Sequence, residues 1–271
     1  MKTRVITAVV LLPLLLLVVL AAPKIFTAIL FAAMAAIAAY ELLNGTGLVK
    51  QLRLCVYAAA SAFWCVLWCG LAISSAWLLL GIVAFWIAVF GEMMASKLQL
   101  GFDKAAMCFT AGVIVPLLFG AIIRLHNTDN GRFYILLPFV LAFLSDTGAY
   151  FAGLKFGKHK LAPVISPKKT LEGVVGGVAG AIIGMLIYCL VLQLGFGFRV
   201  NYLYAVLYGI LGSGAGVFGD LCFSVIKRQT GIKDYGNLFP GHGGILDRFD
   251  SNIVVAPLVE ILMMLLPVAV K

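Results

Sequence analysis

The residues best suited to chemistry lie close together in the chain. From Ser224 to Asp250 it reads SVIKRQTGIKDYGNLFPGHGGILDRFD, with Lys227, Arg228, Lys233 and Arg248 as cationic donors and Asp234, Asp247 and Asp250 as carboxylates. His242 adds a titratable imidazole, and Gly236, Gly241, Gly243 and Gly244 a pliable backbone. Only 11% of the chain is charged, so this density needs a cause. A basic loop between membrane spans explains the cations. It does not explain His-Gly-Gly, nor Asp-Arg-x-Asp running into the next apolar stretch. Glycines let a backbone approach phosphate closely, Lys and Arg bind phosphate charge, and one or two carboxylates suffice to hold Mg²⁺. Together these are the parts of a phosphoryl or nucleotidyl transfer site.

Three further features point to the same chemistry. Asp220, Ser224 and Lys227 stand at i, i+4 and i+7, which places them on one face of a helix. Asp146, in Phe-Leu-Ser-Asp-Thr-Gly, puts a carboxylate inside an apolar segment, where it either serves the site or pairs with a base to fix the scaffold. The stretch Ser166-Pro167-Lys168-Lys169-Thr170-Leu171-Glu172-Gly173 closes a lysine-rich loop. Thr170 is placed to cap the helix that follows, with Glu172 in its first turn. Lys168 and Lys169 then precede a helix N-terminus, itself attractive to phosphate. Lys155, Lys158 and Lys160 suit an anchor for anionic headgroups equally well.

The elements that must position these residues are membrane helices. Hydrophobic residues make up 63% of the 271 residues, more than a soluble fold of this length can bury. Nine segments are apolar and long enough to span: 5–22, 25–43, 54–72, 75–94, 105–125, 133–153, 173–195, 202–224 and 249–270. The first follows Met-Lys-Thr-Arg and resembles a signal peptide, but the next span begins at once, so it reads as a retained helix. An all-α polytopic bundle with a cytoplasmic N-terminus puts fifteen of the 20 basic residues on the cytoplasmic side. Lys24, Arg124, Arg132, Arg199 and Lys271 are left outside. The +9 net charge therefore reflects orientation rather than nucleic-acid binding. The six cysteines fall in apolar runs without zinc or disulfide spacing. Glu41 and Glu92, near span ends, read as interfacial. The glycines of the seventh and eighth spans read as close helix packing. The chain is thus a single polytopic domain, 1–132 mainly scaffold and 133–271 the catalytic part with cytoplasmic loops 154–172 and 225–248.

The stretch 224–250 closely resembles the signature of the phosphatidate cytidylyltransferases, or CDP-diacylglycerol synthases. Ser224, Lys227, Arg228, Lys233, Asp234, Gly236, Phe239, Pro240, His242, Gly243, Gly244, Asp247, Arg248 and Asp250 fill it without a gap. Ser-Asp-Thr-Gly at 145–148 and Ser-Pro-Lys-Lys-Thr at 166–170 resemble the family's secondary blocks. The resemblance implies CTP and phosphatidate as substrates, CDP-diacylglycerol and pyrophosphate as products, and a multi-pass protein of the bacterial inner membrane with its active site facing the cytoplasm. It also implies Mg²⁺, and leaves a place for a second, monovalent or divalent, cation. Asp220 and Asp247 are the expected metal ligands, with Asp146 and Lys227 completing the catalytic set. Asp250 either completes the metal shell or pairs with Arg248 or Lys233. Ser166, Lys168, Lys169, Arg228, Lys233, Gly243, Gly244 and Arg248 are expected at the substrates. His242 either donates to phosphate or orders the glycine turn. A homodimer is what the family implies. With no Ser-His-Asp or Cys-His pairing in view, direct transfer is expected. A cation transporter would also use intramembrane acids, but has no need of the basic loops. A CDP-alcohol phosphatidyltransferase would carry Asp-Gly-x₂-Ala-Arg, which is absent.

Overall fold

In lipid every backbone polar group must be satisfied internally, so long apolar runs fold as helices, and the computed structural model is an all-α polytopic membrane bundle. It describes residues 13, 15–71, 75–97, 99–238, 241 and 243–271. Half of the predicted span 5–22 lies outside the described residues, as do Phe239, Pro240 and His242. Among the described residues, seven helices are long and apolar enough to cross a membrane: Lys24–Gly45, Leu52–Leu71, Ser75–Ala95, Phe102–Asn127, Gly131–Phe156, Leu171–Phe196 and Tyr202–Gln229. The predicted last span is a further helix, Leu246–Leu265, set apart by Asp247, Arg248 and Asp250 in its opening turns. The chain divides into two compact units, one of residues 1–127 with 227–249, the other of residues 128–226 with 250–271.

In the first unit, α1 (Lys24–Tyr40) buries Ala28, Phe31, Ala32 and Ala35. It meets α2 (Leu52–Leu71) closely: a methyl at Gly70 would lie 2.7 Å from the Ala28 Cβ. Such small-residue contacts are how membrane helices gain van der Waals packing without a hydrophobic drive between them. Phe31, Phe119 and Phe249 form an aromatic cluster with centroid spacings of 5.5–6.5 Å. The α1 helix ends in a π turn, Glu41–Gly45. Thr46 closes it by donating its hydroxyl to the Leu42 carbonyl at 2.5 Å.

In the second unit, α3 (Leu137–Phe156) and α4 (Leu171–Phe196) pack along their glycines. A side chain at Gly148, Gly176 or Gly180 would strike the facing backbone or Ala152. The next helix, α5 (Tyr202–Gln229), approaches Ile182 at Gly209 and Leu141 at Gly212. These contacts match the packing role read from the sequence. Ser145 and Ser213 share a buried 2.7 Å hydrogen bond between α3 and α5. The loop expected at 154–172 contains an antiparallel hairpin, β1 (Lys160–Ala162) with β2 (Ser166–Thr170), turned at Pro163-Val164-Ile165. Thr170 caps α4, its Oγ1 accepting the Gly173 N–H at 3.1 Å.

Candidate active site

Two clusters of charged side chains form, one in each unit. The cluster in the second unit depends on β2. Successive residues of a strand face opposite ways, so Lys168 is exposed while Lys169 turns inward. The Lys169 Nζ lies 2.5 Å from Asp220 Oδ2 on α5 and 3.4 Å from the Val217 carbonyl. Ser224, one turn along α5, donates to Asp220 Oδ1 at 3.2 Å. The helical spacing of Asp220 and Ser224 therefore makes a contact. The Asp220 side chain is 30% exposed, so it keeps both acceptor capacity and access. At the hairpin's base, Glu172 accepts the backbone N–H of Lys158 and of His159 and pairs with the His159 imidazole at 2.6 Å. That contact orders the lysine-rich segment.

The cluster of the first unit gathers the signature loop. Lys227 continues the α5 face, but its Nζ goes to Asp247 Oδ1 at 2.9 Å. The two side chains are only 11% and 2% exposed. Asp247 Oδ2 accepts the N–H of Tyr235 at 2.8 Å and of Gly244 at 3.0 Å. One carboxylate thus ties two points of the loop, Tyr235 and Gly244, to a buried cation. Charge-assisted bonds of this kind are about twice as strong as neutral ones. The Lys227 ammonium also sits 5.3 Å from the Tyr235 ring centroid. Gly243 has φ +81° and a methyl there would lie 2.7 Å from Asp247 Oδ2, so glycine is required twice over.

The sequence missed Glu41. Reading it as an interfacial acid is corrected by the structure: it is 7% exposed and accepts the backbone N–H of Ile245 at 3.2 Å and of Leu246 at 2.9 Å. These amides open α6 (Leu246–Leu265), whose first N–H groups have no partner within the helix. No local motif marks Glu41, because its partners are more than 200 positions away. Ser213 was likewise hidden in a glycine-rich run.

The other predicted residues fall as follows. Ser166 opens β2 and is half-buried. Arg228, Lys233 and Arg248 are exposed, while Asp250 is buried and its Oδ1 accepts the Ser251 N–H at 2.8 Å. Asp146 is exposed on α3, beside the buried Ser145. His242 lies outside the described residues. Among the described residues, no three His, Cys, Asp or Glu side chains gather into a set able to hold a metal alone.

A polytopic helix bundle that carries lysine–aspartate pairs is an integral membrane protein with charged clusters on its helices and loops. This one is a nucleotidyltransferase. The chain belongs to the cytidylyltransferase family, whose model matches residues 2–266. It is 39% identical over 183 residues to a protein of Staphylococcus epidermidis named phosphatidate cytidylyltransferase, covering 68% of each chain. Proteins of the same name from Staphylococcus haemolyticus and Staphylococcus aureus are 38% and 37% identical over 182 residues, or 67% of this chain and 68% of theirs.

Proposed function

We propose that the protein transfers the cytidylyl group of CTP to phosphatidate. A phosphatidate phosphate oxygen attacks the α-phosphorus of CTP. The bond from that phosphorus to the oxygen bridging to the β-phosphate breaks, and pyrophosphate leaves with its electron pair. The observation that carries this reading is the family match over nearly the whole chain, with relatives named for this reaction. The residues supply what the reaction needs. Both reactants are anionic, so cationic side chains must offset their repulsion before they can meet. Lys168, Arg228, Lys233 and Arg248 are exposed cations of the kind that bind a triphosphate or a lipid phosphate. Lys169, shared with Asp220, holds its charge within reach of a carboxylate that can also accept a metal.

Magnesium fits Asp220, a hard oxygen donor that is partly open and, among the described residues, meets Lys169 and the Ser224 hydroxyl. Asp247 fits less freely, since Lys227, Tyr235 and Gly244 already donate to it. An ion held by so few carboxylates takes the rest of its shell from water and substrate phosphate, as Mg²⁺ commonly does. When bound it would neutralise charge on the transferring phosphates. Lys227 and Asp247 keep the loop in shape, and Gly243 and Gly244 keep its backbone free of side chains. The positive-inside split favours a cytoplasmic face for the loops, where CTP is found. The test is incubation of the purified protein in phosphatidate-containing vesicles with CTP labelled at the α-phosphorus. Label entering the lipid fraction as CDP-diacylglycerol supports the proposal. Label remaining wholly in water-soluble species, with folded protein, rejects it.

A further inference from the structure

Glu41 does more than occupy a helix end. Its two carboxylate oxygens bind two successive amides, Ile245 through Oε1 and Leu246 through Oε2. Those amides are the start of α6, where a free helix N-terminus would attract an anion. The protein fills that position with its own carboxylate. Two signature glycines are shaped around it: a side-chain carbon at Gly236 or Gly244 would come under 3.0 Å from the Glu41 carboxylate. The π turn that begins at Glu41 is seated against the same loop, because a side chain at Gly45 would strike the Tyr235 carbonyl. Single π turns in α-helices recur at functional sites. Asp247 then holds the loop from within through the N–H groups of Tyr235 and Gly244. The loop is thus clamped between two carboxylates, one of its own and one from the early spans.

We infer that Glu41 is a positioning residue for the cytidylyl transfer, an internal anion that fixes the Gly244–Leu246 segment and with it the first turn of the following helix. The inference rests on the proposed reaction taking place at this loop. Glu41 does not touch substrate in this role, since its oxygens are spent on backbone amides. Its charge matters because a carboxamide at the same length offers one acceptor oxygen and turns an N–H donor toward the other amide. No sequence motif announces this, yet the contact accounts for the glycines at 236 and 244 and for the buried acid at 41.

The test combines two readouts on Glu41→Gln in the full-length protein in nanodiscs. Hydrogen–deuterium exchange is followed in peptides covering 235–250, with peptides from 171–196 as reference. Exchange in 235–250 is expected to rise by about tenfold or more while the reference stays unchanged. Turnover per folded molecule is expected to fall by about tenfold or more, with the KM for CTP moving less than about threefold. Should Glu41→Gln fail to fold, Gly244→Ala, which pushes a methyl into the same carboxylate, is expected to give the same local rise in exchange. Unchanged exchange in 235–250 would overturn the anchor itself. Raised exchange with unchanged turnover would overturn its part in the reaction, and loss of turnover in all variants in step with folded protein would reduce Glu41 to scaffold. A rise in KM with kcat retained would overturn positioning in favour of substrate binding.

Discussion

Replacing Lys227 by methionine keeps much of the side chain's length and apolar stem and removes its charge. Asp247 would retain the Tyr235 and Gly244 amides but lose the ammonium 2.9 Å from its Oδ1. With the two side chains 11% and 2% exposed, water cannot take the place of the lost partner. Breaking a buried pair from one side costs about 3–5 kcal/mol, because the remaining charge is left uncompensated. At roughly 2–4 °C per kcal/mol for a chain of this size, the melting midpoint should fall by about 6–20 °C. Asp247→Asn should also destabilise, since a carboxamide cannot serve three donors. The double variant carries no orphaned charge, so its loss should be smaller than the sum of the single losses by about 1–3 kcal/mol. Tryptophan fluorescence melts of the four proteins in one detergent would measure this cycle. Midpoints within 2 °C of wild type for Lys227→Met, or losses that add to within about 0.5 kcal/mol, would refute the reasoning.

The two neighbouring lysines of β2 should behave differently: Lys169→Arg should lower kcat/KM for CTP because its ammonium is committed to Asp220, while exposed Lys168→Arg should change it less, as initial-rate kinetics would tell. Asp220→Asn should cut turnover by about a hundredfold and shift the magnesium titration upward, and a titration identical to wild type would exclude it as a ligand. Gly243→Ala, at φ +81° and against Asp247, should cost about 1–2 kcal/mol in backbone strain alone, read as a lowered melting midpoint. Asp146→Asn should abolish activity with the melting midpoint held. A lowered midpoint with activity in proportion to folded protein would instead assign it to the scaffold.

Membrane architecture was plain in the sequence because apolar length is a one-dimensional property, read without knowing any contact. The same holds for the Thr170 cap and the Asp220–Ser224 pair, whose partners lie within one helical turn. The glycines of α3, α4 and α5 announced close packing, though not which backbone each would meet. What the sequence concealed depends on distant contacts or local alternation. Lys168 and Lys169 looked equivalent until the hairpin sent them to opposite sides. Glu41 looked interfacial because an acid at a span end is ordinary, and only the fold brings the amides of Ile245 and Leu246 to it. Asp247 was legible as an important carboxylate, but not as the group that closes a loop onto Lys227.

The proposed reaction joins CTP to phosphatidate with release of pyrophosphate. Its most direct measurement is pyrophosphate release by the purified protein in vesicles, with CTP and phosphatidate supplied separately and together. Release is expected only when both are present, with one pyrophosphate formed for each CDP-diacylglycerol. Pyrophosphate released from CTP without phosphatidate, or none with both substrates and magnesium supplied to folded protein, would contradict it.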